Sequence, residues 1–255
     1  MAAFDVTIVI NAHREGLIAA PSLISASRAK MVAEKNGYKV ETFVVQDRAD
    51  DLTKEVIGEW ATPDVRILDV DNGDPGCSRN DAVFAASGEW VAFLDADDLW
   101  DEHWLNEALN AARRDRREIV WHPEVSLYFG AESRIFRSID MESDEFELSS
   151  LLVGNYWTVL CLARQSLLLE VPHPATDIQK KIGHEDWGWN LQAMERGAIH
   201  KIVPGTGHGI RVKESGSVMR AATSAGVIPK PSNVFRKLLE DKERSLTAAR
   251  ASRGS

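Results

Sequence analysis

Apolar and polar positions along the first hundred residues repeat in a strand-then-helix rhythm. Val6 to Ile10 is a short β-branched run, and Ser22 to Asn36 has helical composition stopped by Gly37. Val40 to Val45 is again strand-like, Asp51 to Trp60 helical, and Val65 to Val70 strand-like with alternating polarity. A loop holding Gly73, Pro75 and Gly76 leads into a predicted helix, Ser78 to Ala86, ended by Gly88 before a fourth strand at Trp90 to Leu94. Such alternation with short connections predicts an α/β fold, a mostly parallel central sheet flanked by helices. Ligands of these sheets bind beyond the carboxyl ends of the strands.

The pattern is less regular further on. Asp101 is placed to cap a helix whose apolar stripe is Trp104, Leu105, Ala108, Leu109 and Ala112. Glu118 to Arg137 reads as two or three strands punctuated by Pro123 and Gly130, and Asp140 to Glu147 as an acidic loop. Leu148 to Leu169 mixes strand and helix compositions, which periodicity does not separate. His184-Glu185-Asp186-Trp187 opens a helix that Gly197 closes. From Ala221 the composition changes, and a helix-like run beginning at Ser232 carries Val234, Phe235, Leu238 and Leu239. That stripe fits a helix docked on the domain. Because Arg236, Lys237, Lys242 and Arg244 accompany it, an oligomer or peripheral membrane contact is the alternative, weakened by interleaved acids.

Composition narrows the partners. With 255 residues, 44% hydrophobic and 27% charged, the chain can bury a large core. A net charge of -9 argues against nucleic acid as a partner, since such proteins carry a basic footprint. Cys77 and Cys161 form no metal or redox motif, which fits a reducing cytosol, and neither is expected to be a nucleophile. Met1 to Asn11 has no signal-peptide pattern, and the longest uncharged stretch, Leu148 to Ala163, is too short for a transmembrane span. A cytoplasmic protein is expected, at most touching the inner face of a membrane.

The fourth strand empties into Asp95-Ala96-Asp97-Asp98. Carboxylates at i and i+2 on a strand point to the same face, and a turn of the chain there draws them close enough to converge on one ion. Mg2+ suits such a turn, because it keeps most of its waters and is held by one or two carboxylates plus substrate phosphates. A solvated acidic turn before the next helix is the plainer alternative.

Val6-Thr7-Ile8-Val9-Ile10-Asn11-Ala12-His13-Arg14-Glu15, Ser78-Arg79-Asn80, Phe93-Leu94-Asp95-Ala96-Asp97-Asp98 and Glu185-Asp186-Trp187, in this order and spacing, resemble glycosyltransferase family 2 over roughly Val6 to Val218. The resemblance implies the GT-A fold, with a Rossmann-like nucleotide-binding half (about 1–115) merged with an acceptor half (about 116–222) and a helical tail (223–255) outside it. It assigns Asp47 to the nucleotide base, although Gln46 replaces the family's usual first acid there. Arg79 would help hold the donor, Asp95 would face the nucleotide, and Asp97 would bind a divalent cation, Mn2+ or Mg2+. Asp98 reads as structural. His208 falls loosely where relatives recruit a further metal ligand, and Arg211 with Lys213 is placed to meet the diphosphate. Each has an ordinary alternative: a surface acid, solvated basic residues, a hydrogen-bonded structural histidine.

By the same resemblance Asp186 is the base that deprotonates the acceptor, and a single displacement with one base inverts the anomeric carbon. An aromatic wall of Trp187 and Trp189 would raise its pKa by desolvation, although core packing accounts for most tryptophans. The implied activity is transfer of a sugar from a nucleotide-diphosphate sugar to a saccharide or glycolipid acceptor, in bacterial polysaccharide or glycoconjugate assembly. Two rivals stand beside it. One is an inactive nucleotide-sugar binding protein. The other is a haloacid dehalogenase-like phosphatase, opposed because its motif follows a first strand and because Leu99 stands where Thr or Val belongs.

Overall fold

The structure is a computed structural model that describes residues 2–213 and 226–234, together with Arg236 and Glu240. Its first strand, β1 (Phe4–Ala12), lies between β2 (Val40–Asp47) and β4 (Gly88–Asp95), and β3 (Arg66–Val70) pairs with β2, all four parallel. The helices α1 (Ala19–Lys35), α2 (Asp51–Trp60) and α3 (Pro75–Ala85) connect them. The predicted alternation therefore holds through Asp95, and the acids sit at the carboxyl end of a central strand.

Alternate residues of each strand feed opposite cores, as the two-residue period requires. Ile8, Ile10, Ala92 and Leu94 face one core with α1 and the helix α4 (Trp104–Arg114). Val9, Phe43, Val91 and Phe93 face the other with α3 and α5 (Gln165–Glu170). Local chemistry sets the helix starts. Asp74 accepts from the Cys77 N–H, and Pro75, whose missing N–H costs nothing there, takes the first position of α3, so that helix begins three residues before the predicted Ser78. Asp101 stands two residues before the capping position, which His103 takes, and accepts from the His103 N–H.

Beyond β4 the pairing is mixed. β8 (Leu162–Arg164) runs antiparallel to β4 and to β6 (Ile119–Gly130), which is parallel to β9 (Ile199–Val212). β9 carries β5 (Leu99–Trp100) antiparallel, and β7 (Arg134–Arg137) pairs with β6. β6 is one strand running through Pro123, where the register shifts, and Gly130 ends it. The 14-residue β9 brings the Gly207-to-Lys213 segment back beside the acidic turn.

Val234 is fully buried against Leu151, Trp157, Leu191 and Met194, and Ser232 Oγ donates to Glu195 at 2.9 Å. Phe235, Leu238 and Leu239 lie outside the described residues. Among the described residues no helix is long and apolar enough to cross a membrane. Both cysteines are free, and burial raises the Cys77 thiol to about 11 and Cys161 to about 12, so both stay protonated and poorly nucleophilic at neutral pH.

Candidate functional site

A cavity of about 770 Å3 opens at the carboxyl ends of β1, β2 and β4. Asp47, Arg79, Asp95, Asp97, Asp186, Arg211 and Lys213 all line it, so seven of the eight sequence-predicted site residues meet in one space.

Asp95 ends β4 and Asp98 closes the turn, its N–H bonding to the Asp95 carbonyl at 3.0 Å. The three carboxylates of the turn have different partners. Arg79 Nη2 donates to Asp95 Oδ1 at 2.6 Å, Lys213 Nζ pairs with Asp97 Oδ2 at 2.7 Å, and Asp98 Oδ1 accepts from the Arg211 backbone N–H at 2.7 Å. Burial raises the pKa of Asp97, opposed by the Lys213 charge. Deeper burial, with Asp97 and Asp95 nearby, raises that of Asp98 well above the carboxylate range, which makes Asp98 a fastening for β9. Lys213 also reaches Glu15 at 3.5 Å, and Arg211 Nε donates to the Asp97 carbonyl at 3.1 Å with its guanidinium over Phe129.

Asp47 is 4% exposed and its carboxylate is committed to the loop after β3. Oδ1 accepts from the N–H groups of Asn72 (2.9 Å) and Gly73 (2.8 Å), and Oδ2 from the Asp74 N–H (3.1 Å) and Ser78 Oγ (2.9 Å). A carboxylate has about four acceptor sites, and here four donors use them. Asp47 shapes the cavity floor through that loop.

Arg79, 2% exposed, also reaches Glu185 Oε1 through Nη1 at 3.1 Å and so ties α3 to α6 (Glu185–Glu195). Gly76 permits this approach, since a Cβ there would stand 3.3 Å from Glu185 Cγ and 3.1 Å from the Pro174 carbonyl. His184 takes a left-handed backbone, φ 54°, as the chain turns into α6. Asp186 in the first turn accepts from the Trp187 N–H at 2.7 Å and from Asn155 Nδ2 at 3.3 Å. Burial, then the Glu185 charge, pushes its pKa up to about 7.

One expectation is corrected. His208 does not approach Asp97: β9 pairs it with Trp100, and its ring is buried, stacked on Trp100 and edge-on to Trp104 at 4.8 Å. It is outside the cavity, neither ring nitrogen has a polar partner among the described residues, and burial lowers its pKa to about 3. Trp189 follows the core-packing reading: it is 1% exposed in the second core, its Nε1 donating to the Val171 carbonyl. Trp187 does line the cavity, joined by Tyr128, Arg134, Phe136, Asn155 and Trp157, none of which was singled out in the sequence.

Among the described residues no three His, Cys, Asp or Glu side chains are grouped to hold a metal ion. Asp95 and Asp97 nevertheless fit a hard divalent cation, which needs only one or two carboxylates when substrate phosphates and water complete its shell.

A profile described as "Glycosyl transferase family 2" matches residues 7–167. Succinoglycan biosynthesis protein ExoO of Rhizobium meliloti (strain 1021) is 36% identical over 95 residues, 37% of this chain and 26% of that protein. The structure of S. aureus TarS 1-349 superposes with a TM-score of 0.62 at 15% identity, covering 81% of this chain and 60% of that one. The same fragment in complex with UDP-GlcNAc gives 0.60 at 17% identity, covering 91% and 64%. The chain thus spans about a quarter of ExoO and about three fifths of the TarS fragment. The likeness to TarS is one of fold, the GT-A arrangement of a curled sheet flanked by helices.

Proposed function

The chain belongs to glycosyltransferase family 2, and on that premise we propose that it is an inverting, metal-dependent enzyme moving a sugar from a nucleotide-diphosphate sugar to an acceptor hydroxyl. One observation carries the reading: Asp186 and the Asp95–Asp97 turn line the same cavity. A donor bound by its diphosphate at the turn would present its anomeric carbon toward Asp186.

Asp95 and Asp97 would hold the cation, Mn2+ or Mg2+, which when bound supplies Lewis-acid stabilisation to the departing diphosphate. Arg211 and Lys213 bring positive charge to the same end of the cavity. Arg79 keeps Asp95 oriented, and Asp47 supports the donor by fixing residues 72–74. Asp186, lining the same cavity, accepts the proton of the attacking hydroxyl. Its pKa of about 7 suits that role, since a base tuned near the working pH combines an adequate ionised fraction with basicity. Trp187, Tyr128 and Phe136 offer aromatic faces to a saccharide acceptor, free or lipid-linked.

ExoO is named for succinoglycan biosynthesis, and assembly of a bacterial polysaccharide or glycoconjugate at the cytoplasmic face of a membrane is the setting we propose. The phosphatase alternative has no support from the family match. The test is turnover of a panel of nucleotide sugars with Mn2+, read as released nucleoside diphosphate, for wild type, Asp97→Asn and Asp186→Asn. Loss of about 10²-fold or more in both variants is expected. Unchanged turnover in both, or phosphate release from sugar phosphates without a nucleotide, would contradict the proposal.

A further inference from the structure

Asp186 is held by a relay of two amides from different parts of the chain. Asn155 lies in the loop between Val153 and Trp157, and its Nδ2 donates to Asp186 Oδ2 at 3.3 Å. Its Oδ1 accepts from the Trp157 backbone N–H at 3.4 Å and from Asn190 Nδ2 at 3.1 Å. Asn190, 1% exposed, sits four residues after Asp186 on the same face of α6, and its Nδ2 also donates to the Trp157 carbonyl at 3.4 Å.

The chemistry of the ends fixes the orientation of the middle. A backbone N–H is only a donor, so the oxygen of Asn155 must face Trp157. An ionised carboxylate is only an acceptor, so the amide nitrogen must face Asp186. The flipped amide would set oxygen against carboxylate and NH2 against N–H. Trp157 in turn is 1% exposed, and its Nε1 donates to the Ile139 carbonyl at 2.7 Å, so the loop is anchored on both sides of the relay.

We propose that Asn155, locked by Asn190 and the Trp157 backbone, is a positioning residue for the reaction: it aims one oxygen of Asp186 and stabilises its ionised form, leaving the carboxylate both ordered and basic. This deepens the reading of Asp186 as the base and rests on it. The geometry gives Asn155 a distinct signature. An amide that donates to a carboxylate favours the charged form, so its removal should shift the titration upward. A residue that merely packs the loop would leave the titration in place.

The experiment is carbon-13 NMR titration of aspartate-labelled full-length protein, with the Asp186 carboxyl resonance assigned by its absence in Asp186→Asn. Asn155→Ala is expected to raise that titration by about 1 pH unit, and Asn190→Ala, which frees the amide without removing it, by less in the same direction. Asn155→Asp, which places a second carboxylate there, should raise it further. Turnover of the nucleotide sugar found active in the panel above should show its acid limb displaced by the same amount, with KM for the donor little changed. A titration and acid limb unmoved in folded Asn155→Ala would overturn the inference while leaving Asp186 as base. Full turnover in Asp186→Asn would overturn the base assignment itself, and this inference with it.

Discussion

The guanidinium of Arg79 joins Asp95, at the tip of β4, to Glu185, the residue next to Asp186, through contacts of 2.6 and 3.1 Å. One buried cation thus connects the proposed cation-binding turn to the helix that bears the proposed base. Its removal would leave two partly buried acids without their counter-charge. Arg79→Met is expected to cost about 3 kcal/mol in urea unfolding. Arg79→Lys, which keeps the charge but loses the two-armed geometry, should cost less but still weaken nucleotide binding. Wild-type stability in Arg79→Met would show that the bridge does not hold α3 and α6 together.

The turnover of the wild type should depend on pH through Asp186. With a folded pKa of about 7 against an ordinary 3.8, the base is protonated and inactive below neutrality, so the rate should rise with pH and level off above about 7. A pH–rate profile flat from 5 to 8 would contradict this assignment.

Stability should change with pH in the same sense, through four buried imidazoles. His200 and His208 are lowered by burial to about 3, and His122 and His173 well below 6.5. Below pH 6.5 the unfolded chain takes up protons that the folded chain refuses, so each costs about 1.4 kcal/mol per pH unit as pH falls toward its folded value. Asp186 acts the other way between 3.8 and about 7, as do the buried Asp97 and Asp98, whose values are also raised, because there the folded state binds the extra proton, and together they offset part of the histidine effect. Tm should therefore drop from pH 6.5 to 5, by less than four unopposed histidines would give. His208→Phe, a ring of similar shape with nothing to protonate, should flatten that slope and keep the response to Mn2+. Loss of the Mn2+ response would restore His208 as a metal ligand.

Asp47→Ala removes the acceptor for three backbone N–H groups and the Ser78 hydroxyl. Asn72 and Gly73 are exposed, so water can replace part of what is lost, and a stability cost of about 1–2 kcal/mol is expected. Donor affinity should suffer more, because residues 72–74 would no longer be fixed. Calorimetry with the nucleotide separates the two effects; equal affinity in Asp47→Ala would remove Asp47 from the donor site.

The first four strands and their helices were legible because their signals were local. Strand and helix runs alternate between clear stops, and the acids follow an apolar strand, so Asp95, Asp97 and Arg79 could be placed from pattern and family likeness together. β9 was hidden because Pro204, Gly205, Gly207 and Gly209 read as loop, whereas its pairing with β6 and β5 is long-range and leaves no local mark. The same concealment misled the reading of His208, since a Gly-His-Gly run gives no sign that it is a strand with its imidazole against two tryptophans. Asn155 was missed for a related reason: it lies in an apolar stretch of mixed propensity, and its partners are 31 and 35 residues away. Trp187 and Trp189 are alike in sequence, and only the rotation of α6 sends one to the cavity and the other to the core.

The central claim is that a cation at Asp95 and Asp97 is completed by the diphosphate of a nucleotide. Two carboxylates alone make a weak site, while phosphate oxygens supply the missing ligands. The most direct measurement is the shift in Tm with Mn2+ alone, with each nucleoside diphosphate alone, and with both, for wild type and Asp97→Asn. The account expects small separate shifts, a combined shift well above their sum for one nucleotide, and loss of that excess in Asp97→Asn. Additive shifts for every nucleotide, or an excess that survives in Asp97→Asn, would contradict it.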